Sequence, residues 1–185
     1  WNRSWLLAPA WALRDSVGAA DRIQVDHTTD YARQVHSGEV LAGPWVRLAA
    51  KRHLDDLEQG AARGLVWYPT RAQHAIEFIQ CLRHYQGTSA GKRFALSPFQ
   101  RFVVGSLFGW YAAAEQRRFR VAYVEIAKGN GKTPLAAAIA LYGLVADGEA
   151  GAEVYSAATN RDQAGICFNV AKQFVLACGP GRRPA

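Results

Sequence analysis

At 185 residues, half of them hydrophobic and a fifth charged, the chain is long enough for one globular domain and too apolar to be disordered. No apolar run reaches the ~18 residues needed to cross a bilayer, and the first ten residues are too weakly apolar for a signal peptide, so a membrane-spanning protein is not expected. The net charge of +7 is concentrated: nine basic residues (Arg83, Lys92, Arg93, Arg101, Arg117, Arg118, Arg120, Lys128 and Lys132) stand against Glu115 and Glu125 between positions 79 and 135, which points to a polyanionic partner.

In chain order, the first ~25 residues are rich in Trp and Ala without a clear period and read as an undetermined opening segment. Residues 29–37 suggest a short helix stopped by Gly38. Residues 45–57 carry apolar side chains three and four apart, an amphipathic helix ended by Gly60. Thr70 is read as the cap of a helix over 71–85, with Ala75, Ile76, Phe78, Ile79 and Leu82 inward, and Gly87 to Gly91 as a loop. Ser97-Pro98 opens a helix carrying Phe99, Phe102, Val103, Leu107 and Phe108 to a core.

Residues 120–126 form a nearly unbroken apolar run, as expected of a strand covered on both faces. An Ala-rich helix over 134–147 follows, then a second strand over 153–158. Thr159, with Asp162 three residues on, suggests a capping box for a helix that stops at Gly179-Pro180. Strand, helix, strand, helix means βαβ units, so an α/β fold with a partial parallel sheet and a helical N-terminal extension is expected.

Between the first of these strands and its helix stands Ile126-Ala127-Lys128-Gly129-Asn130-Gly131-Lys132-Thr133, in the context that a phosphate loop requires. Gly129 and Gly131 let the backbone turn so that N–H groups converge on an anion, and the helix start adds its positive end. Asn130 lies within the same cradle. Lys132 can reach the β- and γ-phosphates of ATP, and the Thr133 hydroxyl can bind Mg²⁺. Pro134 is harmless in a first turn, which has no use for its missing N–H. Ile126 occupies the place of the first Gly in G-x-x-x-x-G-K-[ST], so the loop is a variant.

This pattern resembles the large subunit of the terminases of tailed double-stranded DNA phages. Their phosphate loop carries an early basic residue, here Lys128, and ends in Gly-Lys-[Ser/Thr]. Residues 94–102, Phe-Ala-Leu-Ser-Pro-Phe-Gln-Arg-Phe, are similar to that family's adenine-recognition segment, in which Gln100 would pair with the base as donor and acceptor. Phe108-Gly109-Trp110, residues 117–120, residues 155–164 and residues 52–57 fit the family's order too, so the resemblance spans about residues 30–178.

It implies an N-terminal extension over 1–92 and an incomplete P-loop NTPase core over 93–185, with ATP and Mg²⁺ as cofactors. Lys128 and Lys132 would be the catalytic cations. Double-stranded DNA, a portal protein and a small terminase subunit would be partners, and the whole protein would be a ring on the procapsid portal in the host cytoplasm. The expected activity is ATP-driven DNA packaging, with a separate nuclease domain.

Hydrolysis also needs a carboxylate for the metal and a residue that orients water. After Thr133 the acids are Asp147, Glu149, Glu153 and Asp162, and Asp147 lies at a helix end, the wrong place for that role. With no Met and no later strand, the sequence reads as a fragment that binds nucleotide without turning it over. A helicase-like P-loop protein and a non-catalytic prophage remnant are the alternatives.

Several residues read as structural. Glu125 is expected to be a paired carboxylate. Arg117, Arg118 and Arg120 are read as an exposed turn, and Asp55 and Asp56 as a solvated face. Gln163 either senses nucleotide or extends the helix cap. Cys81, His84 and His74 make an incomplete zinc set. Cys81, Cys167 and Cys178 are read as small buried hydrophobes in a reducing compartment.

Overall fold

The computed structural model describes residues 25–112 and 116–178. The N-terminal opening segment, Glu115 and the stop at Gly179-Pro180 lie outside them. Helix α1 (His27–Ser37) begins where Asp26 Oδ1 accepts the backbone N–H groups of Thr28 and Thr29 at 3.1 and 3.0 Å. It ends at Gly38, whose φ of +85° suits a residue without a Cβ.

Helix α2 (Pro44–Gln59) is antedated by one residue because Pro44 sits in its first turn. Helix α3 covers Pro69–Cys81, shorter at its end than the expected 71–85 and starting before Thr70. Pro69 supplies the helical φ at the start. At the other end Leu82 turns extended, because Arg83 pairs with Arg93 in an antiparallel bridge that claims the backbone.

Helix α4 (Pro98–Gly109) has the full capping box, Ser97 Oγ accepting from Gln100 N–H at 3.3 Å and Gln100 Oε1 from Ser97 N–H at 3.0 Å. Helix α5 (Lys132–Val145) begins two residues earlier than expected, and α6 is Arg161–Cys178. The cap of α6 is Asn160, whose Oδ1 accepts Gln163 N–H at 2.9 Å. Thr159 Oγ1 donates instead to Gln163 Oε1 at 2.6 Å, so the expected Thr159–Asp162 box is replaced and Gln163 serves the cap.

Helix α4 sits between two apolar clusters. Phe102 joins Tyr31, Ala32, Val35 and Ala50 of α1 and α2. Val104 and Phe108 join Ile76 and Ile79 of α3, Leu135, Ala138 and Leu141 of α5, and Val170 and Phe174 of α6. This larger core draws on residues from both sides of position 92. The α1–α4 approach is close because Gly105 has no side chain: a methyl there would overlap Thr28 Oγ1 and lie 3.0 Å from Thr28 Cβ. Gly109 likewise admits the Trp67 ring.

Among the described residues the sheet is two-stranded and antiparallel, β1 (Val66–Trp67) with β2 (Trp110–Tyr111), Trp67 facing Trp110. The two runs expected as buried parallel strands are extended but lie outside any ladder. Val121 and Tyr123 are each 86% exposed and Tyr155 83%, against the expectation of cover on both faces. A strand acquires both its hydrogen bonds and its burial from neighbours, and among the described residues these runs have none.

Candidate functional site

The turn before α5 is bent by two left-handed glycines, Gly129 at φ +88° and Gly131 at φ +73°. Gly131 is the residue at the helix boundary, and its carbonyl accepts Leu135 N–H at 3.0 Å. Asn130 Nδ2 donates to Ala127 O at 3.3 Å and tightens the turn from within. A Cβ at Gly129 would meet no heavy atom within 4 Å, so that side of the turn is open.

Lys132 folds back across the loop, its Nζ donating to Ile126 O and, at 3.2 Å, to Ala127 O. An ammonium held by two carbonyls in exposed surroundings is exchangeable for an anion's oxygens, which form stronger charge-assisted bonds. Lys128 is exposed and has no ion pair among the described residues. Thr133 follows in the first turn of α5, half-buried.

Gln100 is brought to this turn from α4: its Nε2 lies 3.6 Å from where a Gly131 Cβ would stand. Its carbonyl is held by the capping box, so the amide N–H₂ is the group left to face the loop. The arrangement therefore gathers Gln100, Gly129, Asn130, Gly131 and Lys132 at one helix start. That start and the ammonium suit anionic oxygens, and Thr133 is the one hydroxyl in the first turn able to meet a hard cation. Beside the turn, an open groove of about 830 Å³ runs between α2, α4 and residues 119–125, with Trp45, Phe99, Phe102, Val121 and Tyr123 on its walls. Phe99 also meets Tyr31 edge-on at 6.5 Å.

Other residues singled out from the sequence go elsewhere. Arg117 pairs with Asp147 and Arg118 with Asp56, while Arg120 donates to Gln116 Oε1 at 2.8 Å, so the basic cluster is turned inward rather than being an exposed turn. Asp56 is buried between Arg118 and the half-exposed Arg63, contrary to a solvated face. Asp55, next to it, does lie in solvent and pairs with Lys51 at 2.6 Å. Neighbouring helical residues point about 100° apart, and Arg118 arrives on only one of the two sides. Glu125 is exposed and accepts from Tyr123 OH at 3.2 Å. Cys81 and Cys178 are exposed rather than buried, and Cys167 is half-buried, where burial pushes its thiol pKa up.

A polar hub went unread in the sequence. Asp26 Oδ2 accepts Thr29 Oγ1–H at 2.6 Å and Trp67 Nε1–H at 2.8 Å. Thr29 Oγ1 meets His53 Nε2 at 2.9 Å, and Trp110 Nε1–H donates to His53 Nδ1 at 2.9 Å. Because the indole can only donate, Nδ1 must accept, which assigns the proton to Nε2. Burial holds the His53 pKa down at about 4, with Arg118 and Arg52 acting in the same direction and Asp26 and Asp56 against it. The signal was present in the i, i+3 spacing of His53 and Asp56 on α2, together with two tryptophans whose N–H groups needed acceptors.

A glycine turn that opens onto a helix start with a lysine in its first position belongs to the class of features that hold phosphate groups. Residues 98–178, from the start of α4 to the end of α6, match the family model described as the ATPase domain of the terminase large subunit. This stretch of the chain is a terminase large subunit ATPase region. Neither the curated proteins nor the solved structures yield a match. No helix among the described residues is long and apolar enough to cross a membrane.

Proposed function

We propose that this chain is the ATP-binding part of a packaging motor that drives double-stranded DNA into a phage procapsid. The observation that carries the reading is the doubly left-handed glycine turn with Lys132 at its helix start, inside the matched stretch. In this reading the turn is a variant P-loop (Walker A motif). The amides of Gly129, Asn130 and Gly131 bind the phosphates, and Lys132 leaves the carbonyls of Ile126 and Ala127 to join them. Thr133 would hold Mg²⁺, which neutralises charge on the phosphate oxygens when bound.

Lys128, unpaired and exposed, is a candidate for stabilising the γ-phosphate, as a point charge rather than a planar fork. Gln100 would meet the base with its amide N–H₂. The extended runs 121–126 and 153–158 would be parallel strands within a larger sheet, with residues 1–92 a helical extension on a core formed by 93–185. The portal, the small terminase subunit, a homo-oligomeric ring and the bacterial cytoplasm follow from the same reading.

The test is a titration of a fluorescent ATP analogue with Mg²⁺ into the 185-residue chain and its Lys132→Ala variant. Binding that falls at least tenfold in the variant is expected, consistent with loss of a charge-assisted contact of ~1.5–3 kcal/mol. Equal affinity in the two would remove the reading. Appreciable Lys132-dependent hydrolysis by this chain alone would contradict its second part, that binding occurs here without turnover.

A further inference from the structure

We propose that the hairpin of residues 82–94 docks the phosphate backbone of duplex nucleic acid, with Arg83 and Arg93 sharing one phosphate and Lys92 reaching the next. The bridge Arg83↔Arg93 is antiparallel, and it is flanked by His84 N–H to Lys92 O at 2.9 Å and Phe94 N–H to Leu82 O at 2.8 Å. Bonds on both sides of the pair, and none within it, define the closer kind of cross-strand pair, so two guanidinium side chains leave the backbone from about 4.5 Å apart. Like charges directly opposite one another are destabilising.

Among the described residues neither arginine nor Lys92 has an acidic partner. The sequence places no Asp or Glu between Glu77 and Glu115. All three cations are exposed. The hairpin is held firmly all the same. Leu82 and Phe94 are 7% and 4% exposed on the opposite face, Phe94 stacks against Phe174 at 5.5 Å, and Arg83 Nη1 is tied to Gly91 O at 2.7 Å.

A rigid support that forces two uncompensated cations together is a site lacking its anion. The cations project from a convex turn rather than a pocket, which favours a polyanion over a small ion. A duplex brings a negative charge about every 1.7 Å of its axis, with counterions to release. The choice of duplex DNA as the partner rests on the packaging reading above, whereas the site itself lies outside the nucleotide turn.

The experiment is fluorescence anisotropy of a labelled 30-base-pair duplex of mixed sequence against the 185-residue chain over a KCl series. It compares wild type, R83Q/R93Q, R83K/R93K and K132A, with the ATP analogue titrated into each. R83Q/R93Q should bind duplex about tenfold more weakly at low salt and flatten the slope of log affinity against log salt by about 2, one per lost phosphate contact. R83K/R93K should keep most of the binding. Nucleotide affinity should be unchanged in both, whereas K132A should lose nucleotide and keep duplex. Because the pair is repulsive, R83Q/R93Q should also melt no lower than wild type without DNA. A wild-type chain that does not bind duplex, an unchanged salt slope in R83Q/R93Q, or an equal loss in R83K/R93K would each overturn the proposal.

Discussion

The indole N–H of Trp110 points at Nδ1 of His53 from 2.9 Å, across 57 positions of sequence, and leaves that nitrogen no room for a proton of its own. Protonating His53 would set two donors against each other inside a site that is 3% exposed. The folded histidine therefore stays neutral to about pH 4, while an unfolded one takes up its proton near 6.5.

Between those values the unfolded state binds more protons, so stability falls as pH falls from about 6.5 towards 4. From pH 7 to pH 5 this one group should cost about 2 kcal/mol by the linkage relation. Urea unfolding at the two pH values, in wild type and in His53→Gln, checks it. The variant should be less stable at pH 7 and show a weaker dependence on pH. Parallel pH profiles in the two proteins would refute the assignment.

Gly105 sets up a contest of signs. In an exposed helix interior Gly→Ala stabilises by about 0.5–1 kcal/mol. Here the added methyl would run into the Thr28 side chain on α1. Overpacking of this kind costs about 1–3 kcal/mol, so Gly105→Ala should lower the melting temperature of the chain. A raised melting temperature would mean that α1 and α4 are not packed as described.

Asp55 and Asp56 differ by one position and should differ by an order of magnitude in consequence. Asp56→Ala strips two arginines of their carboxylate, and Arg118 is itself largely buried. Breaking a buried pair in this way costs about 3–5 kcal/mol. Asp55→Ala removes only an exposed i, i+4 pair with Lys51, for which about 0.3–0.5 kcal/mol is expected. Chemical denaturation of both variants tests the contrast, and similar losses would contradict the burial of Asp56.

Gln100 serves the α4 cap with its carbonyl and the nucleotide turn with its N–H₂, and one substitution separates the two roles. Gln100→Glu keeps an acceptor for Ser97 N–H, so stability should hold within ~0.5 kcal/mol, since Glu and Gln serve the capping box alike. A carboxylate placed next to a phosphate should nonetheless weaken ATP-analogue binding severalfold. Unchanged affinity alongside unchanged stability would leave Gln100 as a cap and nothing more.

Much of the helical scaffold was legible in one dimension. Gly38, Pro44, Ser97-Pro98 and the Lys132 turn mark helix ends by local chemistry, through φ > 0, a fixed φ or a side chain that accepts from the backbone. These act within four residues and survive any tertiary context. Where a local signal had a close competitor, it misled. Thr159 and Asn160 are both good caps, and the choice fell to Asn160. Thr70 looked like a cap, yet Pro69 already occupied the first turn.

The sequence by itself determined the glycine turn, its lysine and most of the helices, because each depends on neighbours along the chain. Tertiary structure alone decided the rest. It buried Asp56 and left Asp55 in water, fixed the proton on Nε2 of His53, and turned Arg117 and Arg118 inward while leaving Arg83 facing Arg93 in solvent. Charge and hydrogen-bond partners are chosen across 30 to 60 positions of chain, and the energy of an ion depends on what the fold brings to it rather than on what precedes it.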